Sequence, residues 1–176
     1  MTPLELVSEL SAALREATKN FIFQAEYQAD KKVTIYEGGL PQENFQNETF
    51  LPFIVVELRG VEDTVEGSFA TIGLMFAVYG GENAKYGGGR PLRSGFKDYG
   101  DGWKDLCNLV ETVRQYLLKM PNRILAGKFP LVLPLIYVPQ TDQPIPFFYG
   151  DMVATFEVGQ PVLHMTYNQE FEESRN

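Results

Sequence analysis

Apolar and polar positions recur along the chain with two different periods. Val7, Leu10, Leu14, Ala17 and Phe21 follow one another at spacings of three and four, which is one face of a helix. Its start is marked by Thr2 as cap, Pro3 at the first helical position and Glu5 placed to complete a capping box. A second stripe consists of Trp103, Leu106, Cys107, Val110, Val113 and Leu117, widened by Leu109 and Leu118. That predicts a well-buried helix, capped by Asp101 and stopped at Met120-Pro121-Asn122.

Between and after these stripes the period falls to two. "KKVTIYEGGLP" predicts a short strand over Val33–Glu37, stopped by Gly-Gly-Leu-Pro. The β-branched run "FLPFIVVELRG" predicts a strand from Phe53 to Arg59, and "VEDTVEGS" reads as a hairpin loop. In "SFATIGLMFAVYG", Ile72, Leu74, Phe76 and Val78 point one way; Thr71, Gly73, Met75, Ala77 and Tyr79 point the other. That is a half-buried strand, antiparallel to its predecessor. "FPLVLPLIYVP" is strand-like, but Pro134 confines it to an edge or a bulge. "QTDQPIPFFYG" reads as a proline-punctuated loop, with Phe147, Phe148 and Tyr149 expected in the core. "DMVATFEVGQPV" is the last strand, with Met152, Ala154 and Phe156 opposite Val153, Thr155 and Glu157.

The order helix, strands, helix, strands predicts an α+β fold: a single mainly antiparallel sheet with two main helices packed on it. Residues 1–164 form the expected domain, with a long glycine-rich loop at 80–100, and residues 165–176 an acidic tail. At 176 residues and 44% hydrophobic, the chain is long enough to bury one core. No apolar run approaches the roughly 18 residues of a membrane helix, and the N-terminus reads without a signal peptide. One cysteine excludes an internal disulfide. The net charge of −8 argues against gripping DNA or an anionic membrane by bulk attraction.

The 80–100 connection has the strand, glycine loop, helix layout of a phosphate site, but not its spacing. No glycine is followed by Lys and then Ser or Thr, and about twenty residues separate strand from helix, too many for a dinucleotide turn. Asp101 also places an anion where a phosphate would sit. The segment holds seven of the 16 glycines, and Lys85, Arg90, Arg93 and Lys97 against Glu82 and Asp98. A basic arm that also carries Tyr86, Phe96 and Tyr99, on an acidic body, reads either as an interface element or as a solvated excursion. As an interface it would comprise Lys85, Tyr86, Arg90, Arg93, Phe96, Lys97 and Tyr99.

Catalytic chemistry is thin. His164 is the single histidine, and Cys107 lies on the apolar stripe as packing. Soft-metal binding lacks ligands, so neither a cofactor nor a metal site is expected. Glu62, Asp63 and Glu66, and Asp98, Asp101 and Asp105, lack the spacing of a calcium or magnesium site. They read as solvated turn and cap acids. The residues point away from an enzyme.

"LPFIVVELRG", "TIGLMFAVYG", "DGWKDLCNLVETVRQYLL" and "QPIPFFYGDMVATFEV" together resemble tail-component proteins of long-tailed bacteriophages and prophages, in particular the tail terminator (tail completion) group. The likeness covers roughly Leu51 to Val158. Its most specific part is the aromatic cluster after prolines, then Gly-Asp-Met and an alternating strand. The resemblance implies a small α+β subunit of a ring, usually sixfold, at the head-proximal end of the tail tube. Such a ring stops tube growth and presents the head-joining surface. It implies as partners further copies of the chain, the tail tube protein and a head-completion or connector protein, with DNA only as passing cargo and no membrane. The location implied is the virion tail, and the host cytoplasm during assembly. A head-closure or head–tail connector is the alternative, and a small enzyme a more remote one. The connection after Tyr79 is longer and richer in glycine than the family pattern.

Overall fold

The first helix, α1 (Pro3–Thr18), begins as its sequence directs: Thr2 Oγ1 accepts a hydrogen bond from Glu5 N at 3.1 Å, and Pro3 opens the first turn. The structure, a computed structural model, describes residues 2–25, 28–40, 51–80, 100–140 and 146–159. Leu6, Val7, Leu10 and Leu14 form the buried stripe of α1. Phe21 lies beyond the helix, which ends at Thr18, and is half-buried.

Six strands follow: β1 (Thr34–Glu37), β2 (Phe53–Asp63), β3 (Ser68–Tyr79), β4 (Ile124–Leu125), β5 (Phe129–Pro139) and β6 (Phe147–Val158). Helix α2 (Gly100–Lys119) sits between β3 and β4. The strands form one curled sheet in the order β1-β2-β3-β6-β5-β4. Every pairing is antiparallel except β1 with β2, so the sheet is mixed. The parallel pair was not legible in the sequence, because period-two patterning fixes which face a residue takes but not strand direction.

Three expected boundaries shift. The hairpin strands run to Asp63 and resume at Ser68, so half of "VEDTVEGS" is ladder and the turn is only Thr64–Gly67. "FFYG" belongs to β6 rather than to a loop, because Tyr79, Val78, Ala77 and Phe76 pair with Phe147, Phe148, Tyr149 and Gly150. Helix α2 starts at Gly100, which puts Asp101 inside the first turn, paired with Lys104 at 2.8 Å, rather than at the cap. The bounds of β5 match the sequence reading, and Pro134 lies in a register shift between Val132 and Ile136.

Both helices cover one face of the sheet. The core there joins Leu6, Leu10 and Leu14 of α1 and Trp103, Leu106, Val110, Val113 and Leu117 of α2 to Ile54, Ile72, Leu74, Phe76, Met152, Ala154 and Phe156 of the sheet. Each such fully buried side chain contributes about 1.5–3 kcal/mol relative to exposure. The opposite, outer face carries a smaller cluster at one end only: Leu51, Phe53, Val55, Ala77, Tyr79 and Tyr149.

Candidate assembly surface

Register sets the outer face row by row. Glu57, Gly73, Val153 and Ile136 lie side by side across β2, β3, β6 and β5, and the next row runs Val55, Met75, Asp151 and Val138. In the middle, Arg59 crosses β3 above Gly73. Its guanidinium is 3.5 Å from Asp151 and its Nε 3.7 Å from Glu57. Only glycine leaves room for it: a β-carbon on Gly73 would be 2.1 Å from Arg59 Nε.

Toward β5 the face turns apolar and open. Ile136 is 48% exposed and Val138 54%, with Val153 half-buried beside Ile136; Leu133, in the register shift, is 47% exposed. Strand β5 contains no charged residue. Past its short pairing with β4, its outer edge has no further strand among the described residues. Beyond Pro130, which pairs with β4, Pro134 and Pro139 lack N–H groups, so this edge is blunted against strand addition.

The seven expected interface residues (Lys85, Tyr86, Arg90, Arg93, Phe96, Lys97 and Tyr99) lie outside the described residues. The two feet of their connection do not. Gly80 donates its N–H to Pro146 O at 2.8 Å, and Gly102 is packed against Gly80 and the Phe148 ring. The connection therefore leaves and returns at one point, at the end of the sheet where Tyr79 pairs with Phe147. The aromatic triplet is mostly core, as expected: Phe148 and Tyr149 are buried and Phe147 half-buried. Phe148 faces Trp103 at 6.4 Å, and Phe147 faces Tyr79 at 5.3 Å between ring centroids.

One acid was misread from the sequence. Asp105 is fully buried, not a solvated cap. Its two carboxylate oxygens accept from Gln24 N and Ala25 N, both at 2.8 Å, which ties the segment after α1 to α2. Burial raises its pKa, against the lowering effect of those two bonds. Its spacing from Trp103 and Leu106 put it beside the apolar stripe, and that was the only signal available. Burial likewise raises the pKa of the half-buried Cys107. Tyr137 lies over Gly150, and its pKa is pushed up to about 12, first by burial and then by nearby Cys107 and Asp151. Its hydroxyl is buried without a hydrogen bond.

Glu62 and Glu66 are exposed at the hairpin, and Asp63 accepts from Ser68 Oγ. Among the described residues no group of three or more His, Cys, Asp or Glu converges, and no helix is long and apolar enough to cross a membrane. His164 and Asp98 lie outside the described residues. A groove of about 590 Å³ opens between α1, the end of α2 and the strap that follows it. No protein-family model matches the chain, and no curated protein matches it.

Proposed function

We propose that this chain is a structural subunit of a long-tailed phage or prophage tail, a terminator that assembles as a ring on the tube end, stops its growth and offers the head-joining surface. The observation that carries the assembly reading is the outer face, which no helix covers among the described residues and which ends in a charge-free β5 with Leu133, Ile136 and Val138 exposed. A surface of that kind suits burial against another protein. The phage assignment rests on the resemblance over Leu51 to Val158, and we assign the α+β fold to the terminator type on the same ground. The basic connection rooted at Gly80 and Gly102 is read as an arm that reaches a neighbouring subunit or the tube. The net charge of −8 supports a lumen through which DNA slides without sticking, provided the acids line it.

Native mass spectrometry over a concentration series, with negative-stain images of the largest species, tests the ring. Closed hexamers with an open lumen support it. If the chain stays monomeric, it is mixed with purified tail tubes; failure to bind or cap them sinks the terminator reading. Binding to a head connector instead of a tube end moves the assignment to head closure.

A further inference from the structure

Among the described residues, the exposed large apolar side chains fall into three places. Leu4 and Ile22 stand near the two ends of α1; Leu133, Ile136 and Val138 lie on β5; Val61 and Val65 lie at the β2–β3 hairpin. The last two groups occupy opposite sides of the sheet. Strand β1 pairs with β2 only from Phe53 to Val56, so from Glu57 to Asp63 β2 is itself an edge among the described residues. Strand β5 is the edge on the other side, past its short pairing with β4.

Charge separates the same way. Glu62 and Glu66 at the hairpin and Glu157 of β6 are exposed and form no ion pair among the described residues. Arg59, the base on that part of β2, is held by Glu57 and Asp151. On the far side β5 carries no charge, and Lys119 at the end of α2 and Arg123 on the strap after it are exposed, again without an ion pair among the described residues. Lys128 nearby is balanced by Glu5 and Glu9. The two charged groups also stand at one level. Val61, Ala70, Phe156 and Leu131 form a row across the sheet, and Glu62, Phe69 and Glu157 form the next. Pro130, the residue before Leu131, pairs with Ile124, so Ile124 lies level with Glu62 and Arg123 directly precedes it.

We propose that copies of this chain meet side to side, the hairpin of one copy against the β5 side of the next, with Val61 and Val65 on Leu133 and with Glu62 and Glu66 facing Lys119 and Arg123. Two different surfaces then meet, so the contact is heterologous: it repeats head to tail and closes as a ring. Opposite charge fixes the direction, because hairpin against hairpin sets acid against acid, and β5 side against β5 side sets base against base. The apolar residues form the dry centre of the contact and the charges its rim. This inference rests on the ring reading and names the two surfaces that build the ring.

Charge reversal on the full-length chain tests it. Glu62→Lys/Glu66→Lys and Lys119→Glu/Arg123→Glu change exposed positions only, so both variants should melt close to the parent. Each alone should raise the dissociation constant for self-association by about a hundredfold or more, since like charges then face one another. An equimolar mixture of the two should assemble as the parent does, because each presents the charge that the other's free side requires. Sedimentation velocity and native mass spectrometry read both results, for the chains alone and on tail tube ends. A parent that assembles while the reversals change nothing, or a mixture that does not recover, overturns the pairing and leaves the ring reading standing. Recovery that stops at a dimer overturns the head-to-tail geometry. If neither the parent nor the mixture associates, the ring reading falls and this inference falls with it.

Discussion

Gly102, in the first turn of α2, touches Gly80 at the end of β3 so closely that a β-carbon on Gly102 would lie 2.5 Å from the Gly80 α-carbon and 2.7 Å from the Phe148 ring. Two effects oppose each other in Gly102→Ala. Alanine favours the helix by about 1 kcal/mol. The clash involves backbone and a core ring that is 0% exposed, and overpacking of that kind costs about 1–3 kcal/mol. The clash wins. The melting temperature should drop by up to about 8 °C for a chain of this size.

Gly73→Ala makes the opposite case, although its built contact is shorter. The atoms in the way belong to the end of the Arg59 side chain, which is half in solvent and free to swing aside. The variant gives up two exposed ion pairs worth well under about 1 kcal/mol, and gains about 0.5–1 kcal/mol from removing a strand glycine. Its melting temperature should equal or slightly exceed that of the parent. A fall as large as that of Gly102→Ala would mean that Arg59 holds the outer face rather than resting on it.

These two glycines show what the sequence conveyed and what it withheld. The alternation in "TIGLMFAVY" assigned Gly73 to the outer face, and the helix stripe placed Trp103 and Leu106 inward, both as observed. Neither pattern shows that Gly102 must meet Gly80, because contacts across distant parts of the chain leave no local period. The same blindness explains Asp105. Its partners Gln24 N and Ala25 N are about eighty positions away and are backbone groups, which residue identity does not reveal. The parallel β1–β2 pair and the two-residue β4 were likewise invisible, since direction and very short ladders carry no signature. Chemistry that is absent as a motif was read as thin, while the exposed strip on β5 emerged only once Ile136 and Val138 were seen beside β6.

Asp105→Ala should cost about 2–4 kcal/mol, because it leaves two backbone N–H groups without their acceptor near a buried helix face. Asp105→Asn keeps one acceptor oxygen and should fall between that variant and the parent. Chemical denaturation with an unchanged slope would establish the order. Equal stability of all three proteins would show that water replaces the carboxylate.

Acid dependence should carry two contributions of opposite sign. The pKa of Asp105 is raised by burial, so its protonated form is the better bound one. Its contribution to stability is full below the ordinary value of 3.8 and is lost as pH rises through the raised value. Glu111 is lowered from 4.5 to about 2, first by its bond to Arg114 and then by that to Gln115. Its contribution is present above 4.5 and is lost as pH falls toward 2. Glu111 is exposed, so it supplies only about 0.3–0.5 kcal/mol. Carboxyl NMR should show Glu111 titrating below the ordinary 4.5. The Asp105→Asn variant should lose the slope above pH 3.8 while keeping the one below 4.5.

The β5 strip separates assembly from folding. Ile136 and Val138 are about half exposed and Val138 pairs with Asp151, so lysine at either position removes little core contact, meets no like charge, and should shift stability by no more than about 0.5–1 kcal/mol. At an interface the same change buries a charge against apolar surface and costs several kcal/mol per contact. The double variant Ile136→Lys/Val138→Lys should therefore melt close to the parent and yet remain monomeric where the parent assembles, whether alone or on tube ends. Sedimentation velocity at matched concentrations reads this directly. Unimpaired assembly by the double variant would move the contact away from β5, to the arm rooted at Gly80 and Gly102. In that event the next variant is Arg90→Ala/Arg93→Ala/Lys97→Ala, which should weaken assembly in a salt-dependent way, because charge contacts between exposed groups are screened by salt.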